Sequence, residues 1–384
     1  MLVGLIAAGF AARLVLWLVS WGTNDADLWQ AFATLIHHDG LIQTYRTQPL
    51  FNHPPLMPYW AAAAEALTRA TGVSFPVLFK LPMLLADGLT CWLLWQIGRR
   101  GGSFAGLSMA AVYATAPISI LIASHHCNTE PVYVALSLLA AWLLADRGRA
   151  GLAGLALGAA INVKLVPILL VPVLAACCRR RDELARFAGG LAVMAVPSLV
   201  VLVMAPRAYW TNVVAYASDL AHWGLGYFLL EASGEPAINP RVEAMLAFWR
   251  AWGKYAILAA ATTVAVVQWR WRRWTAYEAS LLAMGAFLVL APGFGLQYLV
   301  APLALLAIAR PAAAVGYGAL AGAFAICWYL LVWDGTVPIR TTFVQIHPLP
   351  GRLFGGLTWA VLVVALAKVA ACPTSQAADA HHRA

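Results

Sequence analysis

Long apolar runs alternate with short polar turns along most of this chain. The runs fall at about 2–21, 75–97, 104–123, 130–145, 151–178, 187–206, 252–269, 277–309, 312–333 and 353–371. A hydrocarbon core of ~30 Å needs about 20 apolar residues per helix, and helices cross it economically because they satisfy their own backbone. The pattern predicts an all-α polytopic membrane protein. The alternating 10-mers of an outer-membrane barrel are absent from the sequence.

The charged turns set the orientation. Arg99-Arg100, Arg147 with Arg149, Arg179-Arg180-Arg181, and Arg270 with Arg272-Arg273 mark cytoplasmic loops. The stretches 22–74, 124–130, 207–250 and 334–352 then face the exterior. With arginines on both flanks, 151–178 must enter and return. Each arm would be a helix of ~21 Å, too short to span, with Asn162-Val163-Lys164 at the apex. The run 277–309 behaves alike, with Gly293 to Tyr298 at its turn. Counting each arm once gives about twelve helices. The same logic makes 57–70 an amphipathic surface helix, with Tyr59, Trp60 and Leu67 dipping into lipid. Segment 28–36 reads similarly, because Leu28, Trp29, Phe32, Leu35 and Ile36 share one helical face. The expected organisation is a transmembrane module 1–206 carrying the first outer loop 22–74, a second outer loop 207–250, a further module 251–371 and a cytoplasmic tail 372–384.

Composition narrows the classes. The chain is 62% hydrophobic and 11% charged, far from the quarter charged of soluble domains. Its net charge of +9 sits largely in short loops, so it does not point to nucleic acid. Six cysteines form no C-x-x-C pair, and no disulfide framework is implied. No basic n-region precedes 2–21, which reads as a retained helix. There is no P-loop and no soluble α/β unit for a nucleotide sugar.

Four stretches carry candidate chemistry. "NDADLW" (24–29) places Asp25 and Asp27 where the chain first leaves the membrane. Desolvation and mutual repulsion would raise one pKa towards a general base; equally, both acids would cap the helix that begins near Leu28. In "FNHPPLMPYW" (51–60), Pro54-Pro55 stiffens the turn that presents His53. Lys164, at a membrane hairpin tip, calls for an anionic partner, and Lys80 lies near the same outer face. Asp87, deep in 75–97, needs a structural polar contact. "SHHCNTEP" (124–131) gathers His125, His126, Cys127, Asn128 and Glu130. Adjacent histidines lack the spacing of strong zinc motifs, so polar contacts are favoured over a metal.

In order and spacing, these motifs resemble the GT-C superfamily of integral-membrane glycosyltransferases. "LFKLPMLLADGLTCWLLW" (78–95) and "PISILIASHHCNTEP" (117–131) resemble the dolichyl-phosphate-glucose glucosyltransferases. "GLALGAAINVKLVPILLVP" (154–172) resembles the Lys…Pro hairpin of polyprenyl-phosphate-mannose transferases, and "PGFGLQYLVAP" (292–302) a Gln-Tyr hairpin of bacterial members. The resemblance implies a GT-C fold and transfer of one sugar, mannose favoured, with inversion. The donor would be a polyprenyl-phosphate-linked sugar, and the acceptor a glycolipid, glycan or protein. The site would face the periplasm or exterior of a bacterial inner membrane. It implies Asp25 or Asp27 as base, Lys164, Lys80 and His53 on the donor phosphate, and His126, Asn128, Glu130, Gln297 and Tyr298 on substrate. No cofactor or metal is required. The rival expectations are a sugar-lipid flippase or transporter, and a surface-polysaccharide polymerase or ligase.

Overall fold

The computed structural model of the chain describes residues 1–216, 224–226, 240–333, 335–341 and 349–373. Helices dominate these residues. Five are long and apolar enough to cross a membrane: Leu2–Val19, Phe75–Gly101, Arg181–Met204, Pro311–Leu331 and Arg352–Ala371. The pair Ser103–Thr115 and Pro117–His126, bent by 57°, is a sixth where it is counted as one broken span. The chain is therefore a multi-pass helical membrane protein, and among the described residues up to six spans stand where twelve helices were expected. Much of the remaining apolar sequence forms helices of 10–17 residues, among them Glu130–Ala145, Ala150–Val163, Val166–Cys177, Ala276–Leu290 and Leu296–Ala309.

The two anticipated hairpins break where their sequences do. Lys164 leaves helical geometry between Ala150–Val163 and the turn Val166–Leu169. Pro292 and the glycines after it separate Ala276–Leu290 from Leu296–Val300. Both segments return to the face they left, and arginines tie that face together. Arg100 pairs with Asp146 at 2.7 Å, and Tyr277 feels the Asp146 charge. Arg272 donates to the carbonyls of Ala176, Cys177 and Cys178, Arg273 to Ala370, and Arg310 to Lys368.

Two short strands correct the all-α expectation. Ser20–Thr23 (β1) and Ile339–Thr341 (β2) pair in parallel, which joins the segment after the first helix to a loop more than 300 residues later. The helix after β1 starts at Asn24, four residues earlier than the apolar face suggests, because the Thr23 hydroxyl accepts from the Asp25 amide. Neither aspartate is the cap. This helix, Asn24–Asp39, buries Trp29 and Phe32 against the bundle, so it is part of the core rather than a surface helix. Leu56–Thr71 fits its expectation more closely, with Tyr59 and Leu67 exposed. Of the aromatic residues in 207–250, Tyr209 packs on Tyr45 with ring centres 5.5 Å apart, and Trp210 and Tyr216 are exposed. Trp223 and Tyr227 lie outside the described residues, as do 374–384. The helix Pro240–Trp271 runs straight through the boundary expected at 250.

Arg13 and Asp87, both fully buried, form the polar centre of the bundle at 2.7 Å. Pro117 cannot donate a backbone hydrogen bond, so the bend at Ala116 strands helical carbonyls. Arg13 Nη1 donates to the Ala114 carbonyl at 2.5 Å and its Nη2 to Ser119 Oγ at 2.7 Å. Ser119 Oγ in turn donates to the Tyr113 carbonyl at 2.6 Å. Tyr113 Oη completes the network by donating to Asp87 Oδ1 at 2.8 Å. Arg13→Met strands a buried carboxylate and should cost about 3–5 kcal/mol of stability. The double variant Arg13→Met/Asp87→Leu should lose less than Arg13→Met alone, which thermal unfolding of the detergent-purified proteins measures.

Candidate functional site

One end of the bundle is shaped by close backbone contact between β1 and the turn 125–127. Gly22 has φ of +122°, and a Cβ there would lie 2.9 Å from Cys127 Cβ and 3.0 Å from the His125 carbonyl. Cys127 itself adopts φ of +66°, a conformation that a non-glycine residue rarely takes. Thr23 Oγ1 donates to the His126 carbonyl at 2.8 Å. His125 then holds both strands: Nδ1 lies 2.6 Å from Ser20 Oγ and Nε2 3.1 Å from Thr341 Oγ1.

This contact brings Asp25 onto the 126–128 turn. Asn128 Nδ2 donates to Asp25 Oδ2 at 2.7 Å, and His126 Nε2 stands 3.3 Å from the same oxygen. The other face of His126 is fixed by Tyr329, with Nδ1 and Oη 2.5 Å apart. Oδ1 of Asp25 accepts no hydrogen bond among the described residues, and the side chain keeps 20% exposure. Burial alone would raise the Asp25 pKa. The His126 hydrogen bond and charge, the Asn128 hydrogen bond and the Lys164 charge outweigh it, holding the carboxyl below its ordinary range.

Lys164 approaches the same region from the break in its hairpin, but it is already paired. Its Nζ bonds Glu130 Oε1 and lies 4.3 Å from the centre of the Tyr298 ring. Glu130 is fully buried, and its Oε2 has no hydrogen-bond partner among the described residues. His53 completes the group. Its ring lies on Trp29 with centres 4.3 Å apart, and its carbonyl accepts from Tyr45 Oη at 2.5 Å. Burial foremost, and then the Lys164 charge, push its pKa down to about 3 against the opposing pull of Asp25. The imidazole is thus neutral at physiological pH, and its buried Nδ1 has no partner among the described residues.

Asp25, His126, Asn128, Glu130, Lys164, Tyr298 and His53 therefore converge, whereas three expected site residues stand apart. Asp27 bonds Arg340 and accepts from Trp21 Nε1 at 3.0 Å, so it secures β2 to β1. Lys80 is fully buried and donates to the carbonyls of Ser20, Ser124 and Trp17 at 2.7, 3.0 and 3.3 Å. Those three bonds use all its protons, which corrects its assignment to a donor phosphate. Gln297 folds back over Gly295, where a Cβ would meet its amide oxygen at 2.2 Å. Among the described residues, no group of three His, Cys, Asp or Glu side chains is placed to hold a metal ion. Ser20, Thr23, Tyr329, Arg340 and Thr341 support the cluster without a sequence signal, because Tyr329 and Thr341 lie 203 and 216 residues from the histidines they bond and Arg340 lies 313 from Asp27.

Such a fold and site define a multi-pass helical membrane protein with a pre-paired polar cleft at one end of its bundle. Residues 22–224, which supply every converging side chain except Tyr298, match the sequence profile of the family described as GPI transamidase subunit PIG-U. The match covers more than half of the chain, and the chain belongs to the PIG-U family. No individual curated protein matches it. The family overturns the expectation of a glycosyltransferase using a polyprenyl-phosphate sugar, since its description is that of a transamidase subunit. It gives no support to that donor or to a bacterial inner membrane; what stands is a multi-pass membrane protein in a lipid bilayer.

The low pKa of His53 has a measurable consequence. Between pH 6.5 and about 3, the unfolded chain binds a proton that the folded chain refuses. Stability should therefore fall on acidification through this window, by up to ~1.4 kcal/mol per pH unit for one proton. Asp25, with its depressed pKa, adds a loss of the same sign at lower pH. Thermal unfolding from pH 7 to 4 should show a shallower decline for His53→Asn than for the unsubstituted protein.

Proposed function

We propose that the chain is a glycolipid-presenting subunit of a transamidase-type complex. It holds the headgroup of a glycosylphosphatidylinositol-like lipid at the Asp25 cleft, and a partner subunit performs the chemistry. The observation that carries this reading is the state of Asp25. One oxygen is pinned by Asn128 at 2.7 Å with His126 beside it at 3.3 Å, and the other accepts no bond among the described residues. A general base works best with a pKa near the operating pH, and Asp25 is shifted the other way. A fixed carboxylate suits binding instead, because charge-assisted hydrogen bonds to sugar hydroxyls or to an ammonium are the strong ones. Neutral His53, buried against Trp29, adds no competing positive charge to the group.

The family description supports the assembly side of this reading, since it names a subunit of a transamidase. With the ligase expectation it shares the transfer of a preassembled glycolipid rather than of one sugar. Native mass spectrometry of the detergent-purified full chain tests it, using glycosylphosphatidylinositol against phosphatidylinositol. The glycolipid should be retained preferentially. Asp25→Asn should weaken retention by roughly 10-fold or more, the worth of one hydrogen bond to a charged group, while Asp27→Asn should leave it nearly unchanged. Equal retention of both lipids, or unaltered retention in Asp25→Asn, would overturn the proposal.

A further inference from the structure

One turn inward from Glu130, the helix Glu130–Ala145 presents Tyr133 and Ser137 to a cavity inside the bundle. Across it stands Ser280 of the helix Ala276–Leu290, and Met284, Leu138 and Leu305 contribute to the apolar walls. Tyr133 and Ser280 are at most 1% exposed and Ser137 8%. Tyr133 Oη, Ser137 Oγ and Ser280 Oγ all lack a hydrogen-bond partner among the described residues.

A buried hydroxyl without a partner costs about 1–3 kcal/mol, and here three of them line one small cavity. A serine in a helix can relieve itself by bonding the carbonyl four residues back; neither Ser137 nor Ser280 does so. The cavity volume is about 10 Å³, room enough for a single water. A buried water typically makes about three hydrogen bonds, the number of open hydroxyls here. An apolar ligand would leave all three unsatisfied, and an ion of either sign would meet no opposite charge on the cavity wall.

We propose that this cavity is a built water site, in which one ordered water bridges Tyr133 Oη, Ser137 Oγ and Ser280 Oγ. The water links the helix that begins with Glu130 to the first arm of the second hairpin, and so supports the packing beneath the polar cleft. The site is independent of what the cleft binds.

Hydroxyl-radical footprinting by radiolysis tests it on the detergent-purified full chain, since radicals born from a held water oxidise the side chains around it. Met284 lines the cavity at 2% exposure, and Met83, fully buried elsewhere, serves as the internal reference. Met284 should oxidise several-fold faster than Met83. In Ser137→Ala/Ser280→Ala its rate should fall to that of Met83. Equal rates in the unsubstituted protein overturn the water site without any variant being made. An unchanged fast rate at Met284 in the double variant, with Met83 still protected, overturns it as well.

Discussion

An ammonium group inside a helical bundle has to be neutralised by the protein around it, and the pairing of Lys164 with Glu130 meets that demand. Glu130 opens its helix directly after the turn that carries His126 and Asn128. The residue that neutralises the hairpin tip is therefore joined to the residues that hold Asp25. The break at Lys164, the strained turn at Cys127 and the capped start of the helix at Asn24 are thus three parts of one arrangement. The Arg13–Asp87 pair meets the same demand deeper in the bundle, where a proline bend leaves carbonyls that a guanidinium can satisfy. In both places the cost of a buried charge is met by a partner from another helix.

This pairing changes what the cleft can do. A free lysine beside an acid of raised pKa would suit phosphate departure and proton removal. The structure has a lysine already bonded to a carboxylate and an acid whose ionised form is stabilised by three neighbours. Lys80, which from its position alone resembles a second phosphate ligand, is consumed by backbone carbonyls. On the proposed reading the cleft holds a polar group rather than transforming one, in keeping with membership of a family described as a transamidase subunit.

Much of this was legible in the sequence, and the remainder was hidden for physical reasons. Apolar runs and arginine-rich turns announced a multi-pass helical protein, and the chain leaves helical geometry at Lys164 and at 291–295, at or beside the expected turns. Counting runs overstated the crossings, because hydropathy does not reveal how far a short apolar helix reaches. Asp25, His126, Asn128, Glu130 and Lys164 stood out as polar groups next to apolar runs. What each one contacts did not, since partners such as Tyr329 and Tyr298 lie in distant segments with no pattern of their own. Lys80 and Lys164 are equivalent residues in the sequence; only tertiary packing separates a lysine held by carbonyls from one held by a carboxylate. The strands β1 and β2, four and three residues long, are too short to carry an alternating pattern.

The most direct test of this account is the energetic coupling between Lys164 and Glu130. A double-mutant cycle with Lys164→Met and Glu130→Gln, read as unfolding free energy in mixed micelles without added lipid, isolates it. If the two charges neutralise each other, Lys164→Met should be strongly destabilising when Glu130 is present and nearly harmless beside Glu130→Gln. The resulting non-additivity should be about 3 kcal/mol. Additive effects, with Lys164→Met costing the same in both backgrounds, would mean that the lysine is not committed to Glu130. That would contradict the pre-paired cleft on which the function rests.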